Sequence, residues 1–189
     1  MGILPRTDGF TLIELLVTVS LAAVLMMFAV PGLSGFVKSA QVRSAAYDLH
    51  GALATARSEA LRLRARMVLC PSDDSTTSDP SCAGAVRDWS TGWLVFASGD
   101  DTFDASTDLL VKVGSGSDQG LEVRSNSTAV GAFAFAEDGT LDSAAGAVRI
   151  AICDERGGEH GVQIDIATLG ASTSWKGAPG EPVSCSDPA

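Results

Sequence analysis

The stretch Gly9-Phe10-Thr11-Leu12-Ile13-Glu14-Leu15-Leu16-Val17 opens a long apolar run and decides how the rest of the chain is read. After Glu14 no charged residue occurs until Lys38, so Leu15 to Val37 gives 23 uncharged, mostly apolar residues. A helix needs about 20 such residues to cross a bilayer. A cleaved secretory signal has a shorter apolar run, roughly 7 to 15 residues, closed by an Ala-x-Ala type site, and this run meets neither condition. The pattern predicts a membrane-spanning helix. Glu14 is its odd member, because an acidic group in a membrane helix costs about 2.5 to 3.5 kcal/mol on insertion scales. A cut between Gly9 and Phe10 would supply a compensating charge: the new α-amino group of Phe10 would stand one helical turn before Glu14. The amine of a neighbouring subunit could then pair with that carboxylate inside an assembly. Further along, Pro31-Gly32 has two readings, a kink or loosened turn and a proline tolerated within a membrane helix.

Working outward, the residues after Lys38 become amphipathic. Val42, Ala46, Leu49, Leu53, Ala56, Ala60 and Leu63 recur at steps of four and three, the spacing of one helix face. Arg43, Asp48, Arg57, Glu59, Arg62, Arg64 and Arg66 fall largely off that stripe. The cluster Arg57, Arg62, Arg64 and Arg66 complements a helix C-terminus and is expected to be solvated rather than to form an anion-binding strip. Beyond residue 66 the chain turns to short β-type runs divided by Gly, Ser, Asp and Asn. Strands are predicted over Met67 to Cys70, Gly92 to Ala97, Leu109 to Val113, Leu121 to Arg124, Ala132 to Ala136, Val148 to Cys153 and Val162 to Ala167. One long helix laid on an antiparallel sheet makes the class α+β. The predicted layout is 1–9 as a leader, 10–37 as the transmembrane segment, 38–66 as the amphipathic continuation and 67–189 as a β-rich head, with room for no second domain.

Charge divides along the same line. Residues 1 to 66 carry 7 basic and 4 acidic groups, net +3, and residues 67 to 189 carry 6 basic and 19 acidic groups, net -13. Such a head repels phosphate backbones, which disfavours nucleic acid as a partner. The four cysteines, Cys70, Cys82, Cys153 and Cys185, include no Cys-x-x-Cys pair, and only His50 and His160 could join them at a metal. They read as disulfides in an oxidising compartment. Three complete pairings are open; Cys70 with Cys82 and Cys153 with Cys185 is preferred because each closes a local segment. No base stands beside any of them to make a reactive thiol.

The N-terminal stretch closely resembles the processing motif of type IV prepilins and type II secretion pseudopilins. There a dedicated peptidase cuts after the glycine and N-methylates the new first residue. The resemblance implies Gly9 as the last leader residue, Phe10 as the methylated terminus and Glu14 as the fifth mature residue, which the family uses for subunit register. Pilin-like proteins often have a proline where Pro31 stands. A second set of residues narrows the match: Arg57-Ser58-Glu59-Ala60, Val68-Leu69-Cys70-Pro71-Ser72, Cys82, and Trp89-Ser90-Thr91-Gly92-Trp93-Leu94-Val95-Phe96 resemble the GspH/FimT family of minor pilins and pseudopilins. DNA-binding members of that family carry arginines after a glycine near the C-terminus. The corresponding stretch, Leu169-Gly170-Ala171-Ser172-Thr173-Ser174-Trp175-Lys176, has none, which weakens a DNA-uptake role.

Trp89 and Trp93 are expected in the core rather than at a stacking ligand. The loop from Gly99 to Asp108 offers Asp100, Asp101, Asp104 and Asp108 as weak calcium candidates, without the spacing of an EF-hand; a solvated acidic turn is the default, and no metal or other cofactor is expected. Glu137-Asp138 before Gly139-Thr140 reads as a turn. There is no Gly-x-Ser-x-Gly, no phosphate-binding glycine loop and no His-Glu-x-x-His, so an enzyme is not expected. Three functional readings result. The first is a pseudopilin near the tip of a type II secretion filament; the second is a minor pilin of a type IV pilus for assembly, adhesion or DNA uptake; the third is an anchored periplasmic protein that never polymerises. The first two imply an inner-membrane helix with a periplasmic head, and the prepilin peptidase, other pilins and secreted cargo as partners.

Overall fold

The computed structural model describes residues 9–83, 88–116, 120–126, 131–142, 146–186 and 188, with the backbone alone over 28–32. The chain forms two compact units, residues 1–38 and 39–189. One helix, α1 (Leu12–Leu63), belongs to both. Its backbone remains α-helical through Pro31 and Gly32, whose side chains lie outside the described residues. Among the described residues no helix is long and apolar enough to cross a membrane. The predicted span includes Phe28 to Gly32 and so falls partly outside them.

In the second unit the amphipathic stripe does what its spacing predicts: Val42, Ala46, Leu49, Leu53, Ala56 and Ala60 are buried. The helix stops at Leu63, three residues before the predicted end. Arg64 takes a left-handed conformation at φ 50°, and the Ala65 N–H donates back to the Ala60 carbonyl at 3.3 Å. This is the Schellman closure, in which glycine is the usual left-handed residue. An arginine there carries a cost of about 1 to 2 kcal/mol. Arg64→Gly is therefore expected to stabilise the head by about 0.5 to 1 kcal/mol, measured as a rise in the denaturant midpoint with unchanged slope.

Nine strands follow among the described residues: β1 (Met67–Pro71), β2 (Gly92–Ala97), β3 (Leu109–Ser115), β4 (Glu122–Ser125), β5 (Phe133–Phe135), β6 (Leu141–Asp142), β7 (Val148–Cys153), β8 (Val162–Ile166) and β9 (Ser172–Lys176). They make two antiparallel sheets, in the orders β3-β2-β1-β5-β6 and β4-β7-β8-β9. β6 and β9 were not predicted. One is only two residues long, and the other is a mostly exposed Ser-Thr-Ser edge.

Alternation along the strands assigns the faces. Met67, Leu69, Trp93, Val95, Phe133 and Phe135 of the first sheet meet Val148, Ile150, Ile152, Ile164 and Ile166 of the second in one core shared with α1. The opposite faces are covered too, so the central strands read as nearly continuous apolar runs. Val68, Cys70, Leu94, Phe96, Ala132 and Ala134 form a second cluster, with Cys82 and Phe103 packed on it. Ala151 and Cys153 form a third with Val183 and Cys185 of the tail.

Each covering segment is stitched by a disulfide, Cys70–Cys82 with S–S 2.08 Å and Cys153–Cys185 with S–S 2.04 Å. The tail lies so close that a Cβ on Gly158 would stand 1.9 Å from the Val183 carbonyl oxygen, and the Val183 N–H donates to the Gly158 carbonyl at 3.1 Å.

The two sheets meet at their turns. Leu141 N–H donates to the Thr168 carbonyl at 2.9 Å. Gly170, at φ 77°, approaches so near that a Cβ there would lie 2.0 Å from the Gly139 oxygen. Arg57 reaches both turns from α1, its Nε donating to the Gly139 carbonyl at 3.1 Å and its Nη2 to the Leu169 carbonyl at 2.9 Å.

Candidate functional site

Gly9, Phe10 and Thr11 precede α1 in non-helical conformation and are exposed. Among the described residues nothing lies within 4 Å of where a Cβ on Gly9 would stand. Thr11 caps the helix. Its hydroxyl accepts the Glu14 N–H at 3.3 Å, and the Glu14 carboxylate accepts the Thr11 N–H at 3.4 Å and its hydroxyl at 3.3 Å. That reciprocal arrangement is a capping box, and it satisfies two of the amide donors a helix start leaves free.

Glu14 thus has a partner within its own chain, a role the sequence announces in Thr11-x-x-Glu14. Charge agrees with geometry, since a carboxylate in the first turn complements the positive end of the helix dipole. An amine created at Phe10 would add to the positive charge that Glu14 faces.

Behind this start the described apolar side chains of the first unit stand outward. Leu12, Ile13, Leu15, Leu16, Leu25 and Met27 are each more than half exposed. A contiguous apolar surface of this kind marks a membrane or protein contact.

In the second unit most of the helix arginines have internal partners instead of lining an anion strip. Arg57 holds the two turns, and Arg62 pairs with Glu59 at 2.6 Å. Arg66 bonds Asp101, meets Asp142 at 2.8 Å and donates to the Asp100 carbonyl at 2.8 Å. Burial works against the Arg66 charge, yet these carboxylates hold its pKa above the ordinary arginine value.

The acidic loop is not gathered into a metal cage. Asp100 accepts from Thr102, Asp104 from Ser106, Asp108 from the Asp104 N–H, and Asp101 pairs with Arg66. Among the described residues no group of three or more acidic, histidine or cysteine side chains could hold a metal ion. The four calcium candidates are instead partners in turns and an ion pair. Hydrogen bonds from Thr102 and Ser106 keep the Asp100 and Asp104 carboxyls below their usual range, and those from Thr140 do the same for Asp138 in its turn.

Trp89 and Trp93 are buried. Trp89 lies 5.5 Å from Phe133, centroid to centroid, and donates to the Ser125 hydroxyl at 3.2 Å. The Lys112 ammonium sits 5.7 Å from the centre of the Trp93 ring.

Comparison with known proteins bears on both units. Residues 45–170 match the family model described as type II transport protein GspH, and residues 4–30 match the prokaryotic N-terminal methylation motif. The fold is similar to crystal structures of the Pseudomonas aeruginosa type IV minor pilin FimU in two crystal forms, at 22% identity in each. The first covers 73% of this chain and 90% of FimU with TM-score 0.55, and the second covers 70% and 91% with TM-score 0.54. A comparison with curated proteins gave no match.

Proposed function

Because the chain belongs to the family of type II transport protein GspH, we propose that it is a minor pseudopilin of the type II secretion system, a structural subunit near the filament tip that supports protein export. The observation that carries this reading is the N-terminal unit: a helix capped by Thr11 and Glu14, with an apolar surface facing outward. A water-soluble protein would not leave such a surface uncovered.

In this reading prepilin peptidase cuts after Gly9 and the amine of Phe10 is methylated. Glu14 sets register against a neighbouring subunit, with Pro31-Gly32 as the place where the helix can loosen. The uncharged run of Leu15 to Val37 then anchors the chain once in the inner membrane before it joins other pilins. The head stands in the periplasm, a compartment that suits its two disulfides, and meets neighbouring subunits or exported cargo. A second reading, a minor pilin of a type IV pilus, draws on the likeness to FimU.

The N-terminal mass of the membrane-extracted protein tests the class. A chain beginning at methylated Phe10 is expected only in cells that have the peptidase; an intact Met1 or Gly2 terminus with and without the enzyme would leave an anchored protein that never polymerises. Deleting the gene then separates the two filament readings. Loss of export with pili intact supports the secretion role, and loss of pili with export intact transfers the chain to the pilus.

A further inference from the structure

An acidic head spends its cations sparingly. Among the described residues the basic side chains are held by carboxylates, carbonyls, a ring or another polar group, with three exceptions, Arg43, Arg64 and Lys176. Arg64 closes the helix. The other two line one groove of about 330 Å³ between α1 and β9, together with Tyr47, His50, Ser174 and Trp175.

Arg43, Tyr47 and His50 are spaced four and three apart and so share one helix flank. The opposite wall is β9, the edge of its sheet, paired among the described strands with β8 alone. Half of the backbone N–H and C=O groups of such a strand point away from its neighbour and are free to pair with another. His50 Nε2 lies 3.2 Å from the Ser172 hydroxyl and ties the helix flank to the start of the strand. Tyr47 is 77% exposed, so one aromatic face stays open beside the free cations, whereas Trp175 alternates to the other face of β9 and donates its indole N–H to Asp165 at 3.0 Å.

We propose that the groove between the Arg43–Tyr47–His50 flank and edge strand β9 takes an extended acidic segment of a partner protein, which adds to β9 as a further strand. Charge complementarity names the occupant, because the two uncommitted cations of this groove sit in a head whose net charge is otherwise strongly negative. An open strand edge supplies backbone pairing, the recurring mode by which sheets capture extended peptides. Nucleic acid fits less well. Two cations give few phosphate contacts, and a phosphate backbone has no peptide groups to pair with the edge of β9. The site does not depend on whether the chain enters a filament.

The test uses the full chain in detergent micelles and three blocked eight-residue peptides, read by fluorescence anisotropy. One alternates Glu with Val and Thr, the second has Lys in place of Glu, and the third is the acidic peptide with proline at alternate positions. The acidic peptide is expected to bind at least tenfold more tightly than the other two, and Arg43→Glu with Lys176→Glu to weaken it at least tenfold. The same double variant is expected to gain affinity for the Lys peptide, which a merely misfolded head would not do. Equal binding of the acidic and Lys peptides, or no effect of the double variant, overturns the proposal. Tighter binding of a single-stranded DNA of equal charge, lost in the same variant, overturns it in favour of nucleic acid.

Discussion

Replacing Cys153 and Cys185 together by serine is expected to lower the unfolding free energy of the head by about 4 kcal/mol, against about 3 kcal/mol for Cys70 with Cys82. The order follows from loop length, since the bridges span 32 and 12 residues of sequence and the longer loop loses more freedom when closed. The folded state reinforces it. Cys185 anchors the tail over Ala151 and Cys153, with Val183 buried and bonded to Gly158, and an untied tail would uncover that outer face of the second sheet. Denaturant melts of the oxidised full chain and the two double variants measure both losses. Equal losses, or a larger one for the Cys70–Cys82 variant, would show that closure of the chain does not set the ranking.

Trp89→Ala is expected to cost about 3 to 5 kcal/mol, the range for truncating a large buried aromatic. Trp89 precedes β2 and is 2% exposed, yet it reaches the other sheet: its N–H donates to the Val123 carbonyl at 2.8 Å and its indole to the Ser125 hydroxyl, while its ring rests on Phe133. Removing it empties the place where β4 and β5 are brought together. Trp89→Phe keeps a ring against Phe133 but leaves the buried Ser125 hydroxyl without its donor, at a cost of about 1 to 3 kcal/mol. A loss below about 1 kcal/mol for the alanine variant in the same melts would mean the neighbouring side chains close the gap.

What the sequence revealed about this fold depended on how strongly each element carried an apolar signal. Gly92–Ala97 and Val148–Cys153 were legible to the residue because both are buried strands rich in β-branched and aromatic side chains. β9 was not, because an edge strand of Ser, Thr, Ser, Trp and Lys buries little and alternates nothing. The same plainness hid the groove beside it. How the strands divide between two sheets was also out of reach, since no pattern along the chain marks which strands pair. The helix ended early for a local reason, the left-handed Arg64, where composition gave no glycine to mark it. At the N-terminus, the cost of a carboxylate in an apolar helix pointed to a partner in another subunit. The structure adds a nearer one, Thr11, three residues back.

Arg57 is anchored in α1 and grips the β5–β6 turn at Gly139 and the β8–β9 turn at Leu169 with one guanidinium. Tension drawn along the helix into the head would therefore be shared between both sheets at that rivet, loading them in parallel, where a helix fastened to one sheet alone would peel that sheet away first.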